Sequence, residues 1–260
     1  MTKLSIITPC RNPGFALVEC IESVARQIQP GIEYIVMDAA STDGTVPQLK
    51  LLAEKYPWLK WVSERDTGQS NAINKAIALA RGEFIGVLNA DDYYCPDVLP
   101  KVLARLAECG SNPVFLYGDL ITVKIGENKS GVQSFPNLHP LDPFIFRYPF
   151  NPACYFYSKK LHEIVGPYDE ADHLTMDLDF LIRGLPHAEI VYLPLQLGAF
   201  VMHAESKTQI DMDAGKSEAR KQALVRRHLD AASFSLRTRL LIFRLKRHFG
   251  YLKWKLLNPR

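Results

Sequence analysis

Within residues 4–88, short runs rich in β-branched and aromatic residues alternate with amphipathic stretches of helical period. That alternation restricts the chain to strands joined by crossover helices. Residues 4–8, 33–38, 58–63 and 84–88 read as strands. Between them, Leu17, Val18, Ile21, Val24 and Ile28 put an apolar face on a first helix, and residues 46–55 form a second. A third helix spans 69–80, with Ile73, Ile77 and Ala80 on one side. Beyond Pro96 the pattern continues with a helix over 97–109 and strands over 114–124 and 131–135, joined by a turn at Gly126-Glu127-Asn128. Regularity then stops. Five prolines among aromatics between 136 and 152 exclude a long helix and predict an ordered loop that shapes a pocket. A strand over 153–158 and short helices over 159–165 and 177–185 follow.

The 260 residues, 47% of them hydrophobic, suffice for one large α/β domain with an appendage. Five scattered cysteines without a Cys-x-x-Cys pair suggest neither a disulfide framework nor a zinc site. The segment around Leu4-Ser5-Ile6-Ile7-Thr8 is too short and too β-branched for a signal-peptide core, and no apolar run is long enough to span a bilayer, so a cytoplasmic location is expected. The net charge of +3 hides an asymmetry: 13 Lys/Arg face only two acids from Lys216 onward, which leaves 18 basic and 26 acidic residues in 1–215. An acidic body and a basic tail are built for different partners.

In an open α/β sheet ligands sit beyond the carboxyl ends of the strands. Here those ends carry Pro9-Cys10-Arg11-Asn12, then Asp38 with Ser41-Thr42-Asp43-Gly44-Thr45, then Glu64-Arg65-Asp66, and finally Asn89-Ala90-Asp91-Asp92. Several acids converging on one rim repel each other unless they hold cations or hydrogen-bond a polar ligand, which points to a metal-nucleotide site. Neither a Gly-x-Gly-x-x-Gly fingerprint nor a P-loop follows any strand. A carboxylate-held Mg²⁺ or Mn²⁺ would then be needed to neutralise a diphosphate.

The ordered motifs Ser5-Ile6-Ile7-Thr8-Pro9-Cys10-Arg11-Asn12, Asp38-x-x-Ser41-x-Asp43-Gly44-Thr45, Glu64-x-Asp66-x-Gly68-Gln69-Ser70-x-Ala72-x-Asn74-Lys75, Leu88-Asn89-Ala90-Asp91-Asp92, Gly166-x-x-Asp169 and Asp177-x-Asp179-x-x-x-Arg183 cover residues 3–205. In this order they resemble the family 2 inverting glycosyltransferases of the GT-A fold, of the bacterial cell-surface polysaccharide type. The resemblance implies a GT-A domain over 1–212, with a nucleotide-binding half over 1–95 and an acceptor-binding half over 96–212, followed by a basic helical tail over 213–260. It implies transfer of a sugar from a nucleoside-diphosphate donor, UDP-sugar being favoured, to a hydroxyl of a glycan or lipid-linked acceptor.

Carried over by position, the resemblance places Thr8, Pro9 and Asn12 in the base pocket, with Asp38 hydrogen-bonding the base and Asp66 at the nucleotide end of the donor. Ser41 and Asp43 are equally what a turn and helix N-cap require. Asn89 stands where the family's Asp-x-Asp motif has its first acid and can still bind a ribose hydroxyl. The metal therefore falls to Asp91, with Asp92 and His203 as further candidates. Asp177 occupies the place of the catalytic base. Asp179 is the alternative, disfavoured because it lies four residues from Arg183 on a helix and can pair with it.

The tail interleaves Arg237, Arg239, Arg244, Lys246 and Arg247 with Phe234, Leu240, Leu241, Phe243 and Leu245. This pattern fits a helix lying on an anionic membrane surface; the alternative is a helix packed on the body or at an interface between copies of the chain. No nucleic-acid module accompanies the basic stretch, so nucleic acid is not an expected partner. Two other functions compete: a catalytically silent nucleotide-sugar binding scaffold, suggested by Asn89 and Met176, and a sugar-nucleotide pyrophosphorylase. The latter would need a Gly-rich loop where Pro9-Cys10-Arg11-Asn12 stands.

Overall fold

The computed structural model describes residues 3–126, 130–203, 206 and 214–257, with side chains to 247. β1 (Leu4–Cys10), β2 (Ile32–Asp38), β3 (Leu59–Ser63) and β4 (Phe84–Val87) are parallel in the order β3-β2-β1-β4. Every residue of β1 is buried, which explains its near-continuous apolar run: a central parallel strand is covered on both faces. Helices α1 (Ala16–Ala25), α2 (Thr45–Lys55) and α3 (Gln69–Leu79) supply the cover, α1 through Leu17, Cys20, Ile21 and Val24, and α3 through Ala72, Ile73, Ala76 and Ile77.

The sheet continues without a break into the second half of the chain. β5 (Tyr93–Tyr94) and α4 (Val98–Ala107) precede the long strand β6 (Val114–Lys124), to which β7 (Ser130–Gln133) pairs. β8 (Tyr155–Ser158) runs antiparallel between β4 and β6, so the two halves share one mixed sheet. β9 (Glu189–Met202) is a 14-residue strand parallel to β6 that delivers its carboxyl end next to β5. Its length is not evident from sequence, because Pro194 and two register shifts around Asp119 interrupt any simple alternation. Gly118 marks that irregularity: a Cβ there would lie 2.6 Å from the Leu195 carbonyl oxygen.

The proline-rich loop is ordered, as expected, and holds two short 3₁₀ turns, Asp142–Ile145 and Pro152–Cys154. α5 (Lys160–Val165) and α6 (Met176–Gly184) follow β8. α6 is seated by Phe180, whose ring centroid lies 4.8 Å from those of Tyr157, His162 and Tyr168. Burial in this aromatic nest pushes the His162 pKa down to about 4.

The tail forms α7 (Ser217–Asp230) and α8 (Phe234–Leu257). One face of each lies on the body: Leu224, Val225 and Leu240 are buried, and Phe243 stacks on His139 at 4.6 Å. The anchor is Asp142, a fully buried carboxylate that accepts from both Arg147 and, at 2.9 Å, Arg247. No helix among the described residues is long and apolar enough to cross a membrane. Glu127 and Asn128 of the expected turn, the expected 212/213 boundary, and the tail side chains beyond Arg247 lie outside the described residues.

Candidate active site

The carboxyl ends of β1 and β2 are latched to each other. The Asn12 backbone N–H donates to the Ser41 hydroxyl at 2.7 Å, the Thr42 N–H donates to the Asn12 side-chain oxygen at 2.8 Å, and the Gly14 N–H donates to Asp43 at 2.9 Å. Asn12 adopts a positive φ of 50° to make this turn, a conformation asparagine tolerates. Asp43 also accepts from the Thr45 backbone and hydroxyl at the start of α2. The bland reading of Ser41 and Asp43 as turn-building residues thus has a structural basis.

Two residues expected at the base pocket, Thr8 and Asp38, hold partners within the protein. Thr8 is fully buried, and its hydroxyl lies 2.9 Å from that of Tyr34, so its side chain points into the core beneath α1 and not to the rim. Asp38 is also enclosed. It accepts from the Ser63 hydroxyl at 2.6 Å, from the Ser41 N–H at 3.1 Å and from the Ser41 hydroxyl, so as it stands the carboxylate braces its own loop. Pro9 is buried as well. Asp66 remains half-buried at the rim, where it accepts from the Gly68 N–H at 3.0 Å.

The Asn89-Ala90-Asp91-Asp92 turn splits its two acids by environment. Asp92 is buried and accepts from the Asn151 amide at 2.8 Å, the Val201 N–H at 2.9 Å and the Asn89 amide at 3.0 Å. Burial, reinforced by the charge of Asp91, raises its pKa to about 7 despite those donors. Asp92, one of the expected metal candidates, is therefore a buried tie between β4, β9 and the 151–155 segment. Asn89 completes the tie, since its oxygen accepts from Gln69 at 2.9 Å.

Asp91 faces the other way. Its carboxylate lies 3.1 Å from His203 Nε2, and both side chains keep roughly a third of their surface exposed (32% and 30%). The two residues are 112 positions apart and meet because β9 ends beside the β4 turn. A carboxylate and an imidazole on an open rim are suitable donors for a divalent ion. Among the described residues no group of three or more His, Cys, Asp or Glu forms a closed metal cage. An ion held here would draw its remaining ligands from a diphosphate and water.

Asp177 lies in the first turn of α6, with its side chain still reaching solvent and the Tyr155 hydroxyl donating to it at 2.9 Å. Desolvation raises its pKa to about 6, with a smaller push from Asp172 and against the pull of Tyr155. Asp179, by contrast, is buried in a cationic clamp: Arg183 at 2.7 Å, His228 at 2.8 Å and Arg227 at 3.4 Å. Burial works to raise its carboxyl, but the His228 hydrogen bond and the Arg183 charge outweigh it and hold the group below its usual range.

Several residues with structural consequence at this site received no role from sequence. Tyr155 and Asn151 belong to one short segment that touches both acidic centres, Asn151 on Asp92 and Tyr155 on Asp177. α3 braces the second half of the chain: Ser70 donates to the Asp172 carbonyl at 3.0 Å, Asn71 donates to Glu170 at 2.9 Å, and Asn74 exchanges hydrogen bonds with the Tyr168 backbone. Gly68 permits this approach. It takes φ +142°, and a Cβ there would lie 2.6 Å from the His173 ring. The Gln69-Ser70-x-Ala72-x-Asn74 motif itself was the available signal.

Residues 5–148 match the family described as Glycosyl transferase family 2. The chain is 30% identical over 190 residues to a PGL/p-HBAD biosynthesis glycosyltransferase of Mycobacterium bovis, covering 72% of this chain and 71% of that one. Among solved structures, S. aureus TarS 1-349 in complex with UDP is similar with a TM-score of 0.67 and 21% identity, over 96% of this chain and 72% of that one. The UDP-GlcNAc complex of TarS 1-349 gives 0.63 and 22%, over 80% of this chain and only 61% of that one. At these identities the likeness shows the fold, which is GT-A with a helical C-terminal extension. The sequence match and the shared architecture together establish that the chain belongs to Glycosyl transferase family 2.

Proposed function

We propose that the chain is an inverting, metal-dependent transferase that moves a sugar from a nucleoside-diphosphate donor, UDP-sugar first among them, to a hydroxyl of a glycan or lipid-linked acceptor in surface polysaccharide or lipopolysaccharide synthesis. The observation that carries the reading is the division of labour along residues 151–155: one end secures the turn presenting Asp91 and the other holds Asp177. UDP and UDP-GlcNAc in the TarS complexes support the donor class.

In this reading Asp91 and His203 hold Mg²⁺ or Mn²⁺, which when bound supplies positive charge to the diphosphate as it departs. Asp177 accepts the proton of the acceptor hydroxyl while that oxygen bonds to the anomeric carbon, and the carbon–oxygen bond to the diphosphate breaks on the opposite face. A pKa of about 6 suits a general base, because the carboxylate is ionised at neutral pH yet more basic than a solvated Asp. Tyr155 fixes its orientation. Asp179, neutralised by its clamp, is poorly placed to act as base.

The tail serves location. Its outer face exposes Phe234, Leu241 and Leu245 (86%, 60% and 49%) among Arg237, Arg239 and Lys246, which supports a peripheral position on the cytoplasmic leaflet. The experiment that tests the enzymatic reading follows UDP release from a panel of UDP-sugars with Mn²⁺. The wild-type chain should turn over at least one donor, and Asp91→Asn should lose about 10²-fold or more. Equal turnover with and without metal, or in Asp91→Asn, would remove the metal from the mechanism.

A further inference from the structure

A cavity of about 590 Å³ lies between α8 and the proline-rich segment, outside the site described above. Leu138, Leu141 and Ile242 contribute apolar walls, and Arg239, Lys246 and Arg247 line it with positive charge. Among the described residues no acidic side chain lines it. Arg247 is fixed by Asp142, but that one buried carboxylate also serves Arg147, so two guanidinium groups share a single negative charge. Arg239 and Lys246 have no hydrogen-bond or ion-pair partner among the described residues. Burial lowers the pKa of His139 on the cavity wall; the charge of Asp142 works against this, and Arg247 and Arg239 add to it.

Cations converging on a groove with an apolar floor match an amphiphile whose head is a phosphate and whose body is hydrocarbon. The groove opens along the helix that exposes Leu241, Ile242 and Leu245, so a lipid phosphate seated on Arg239 and Lys246 would keep its chains along an apolar surface. We propose that this groove binds the phosphate headgroup of a membrane lipid. The proposal rests on the membrane-surface reading for the source of the ligand, while the groove itself is testable without a membrane.

The test uses the full chain and titrates a short-chain phosphatidic acid below its micelle concentration by calorimetry, in parallel with inorganic phosphate. Phosphatidylcholine vesicles with and without phosphatidylglycerol are then compared by sedimentation. The wild-type chain should bind the short-chain lipid saturably, inorganic phosphate much more weakly, and the mixed vesicles but not the neutral ones. The double variant Arg239→Gln with Lys246→Gln removes exposed side chains without described partners and should lose about tenfold or more in affinity for the short-chain lipid, with UDP-sugar binding unchanged. No saturable lipid binding, an unaffected double variant, or equal affinity for inorganic phosphate would overturn the proposal. Binding of the short-chain lipid without binding to vesicles would keep the groove and overturn the membrane reading.

Discussion

Replacing Asp177 with Asn separates function from stability, because the same desolvation that tunes the carboxylate also penalises it. The folded chain holds Asp177 at about 6 against an ordinary value of 3.8. At pH 8 the group is ionised in both folded and unfolded chains, and the folded state bears the whole penalty. As pH falls through 6 toward 4 the folded chain takes up the proton first and the penalty is relieved. The shift corresponds to at most about 3 kcal/mol, and the side chain's remaining contact with solvent reduces the expected gain to about 1–2 kcal/mol. Asn keeps an acceptor for the Tyr155 hydroxyl and carries no charge. Asp177→Asn should therefore raise Tm by about 2–6 °C at pH 8, and the gain should disappear near pH 4. Transfer should fall by about 10³-fold or more, with donor binding unchanged. Thermal melts of both proteins from pH 4 to 8 alongside transfer assays check this. A variant no more stable at pH 8, or equally stabilised at every pH, would refute the desolvation argument; retained transfer would refute the base.

The remaining perturbations test how the site is held. His228→Ala removes a partner from buried Asp179 and loosens the contact between α7 and α6; it should cost about 1–3 kcal/mol in a denaturant melt and lower kcat more than it raises KM, whereas loss of stability alone would limit the clamp to a structural role. Gly68→Ala forces a Cβ against His173 at a φ that side chains rarely adopt, with an expected cost of about 1–3 kcal/mol and weaker donor binding; unchanged stability would mean that the loop rearranges freely. In wild type, kcat/KM should rise with pH through about 6 as Asp177 loses its proton, and a profile flat from pH 5 to 8 would assign the base elsewhere.

Much of the fold could be read because its signals are local. The β-branched runs and helical periods of residues 4–88 each lie within one element, and the strand ends follow directly. The Asp179–Arg183 pair was legible for the same reason: four residues on a helix are neighbours. What escaped depends on distant partners. Thr8 and Asp38 lie at strand ends, but alternation alone does not name the distant side chains they meet, Tyr34 for Thr8 and Ser63 for Asp38. Asp91 and Asp92 are adjacent, and Asp92 is the one turned inward because Asn151 and Val201 meet it from 59 and 109 positions away. Likewise, the amphipathic tail signalled an apolar contact but not that Asp142, 105 residues before Arg247, would hold one face of it.

The central claim, a nucleotide-sugar site completed by a metal at Asp91 and His203, is tested most directly by thermal shifts against UDP-, GDP- and dTDP-sugars with and without Mn²⁺. Anything that binds the folded chain alone raises its melting temperature. A UDP-sugar should stabilise the wild-type chain only when Mn²⁺ is present, and His203→Ala should abolish that stabilisation. Absence of metal-dependent stabilisation by any nucleotide sugar would contradict the claim.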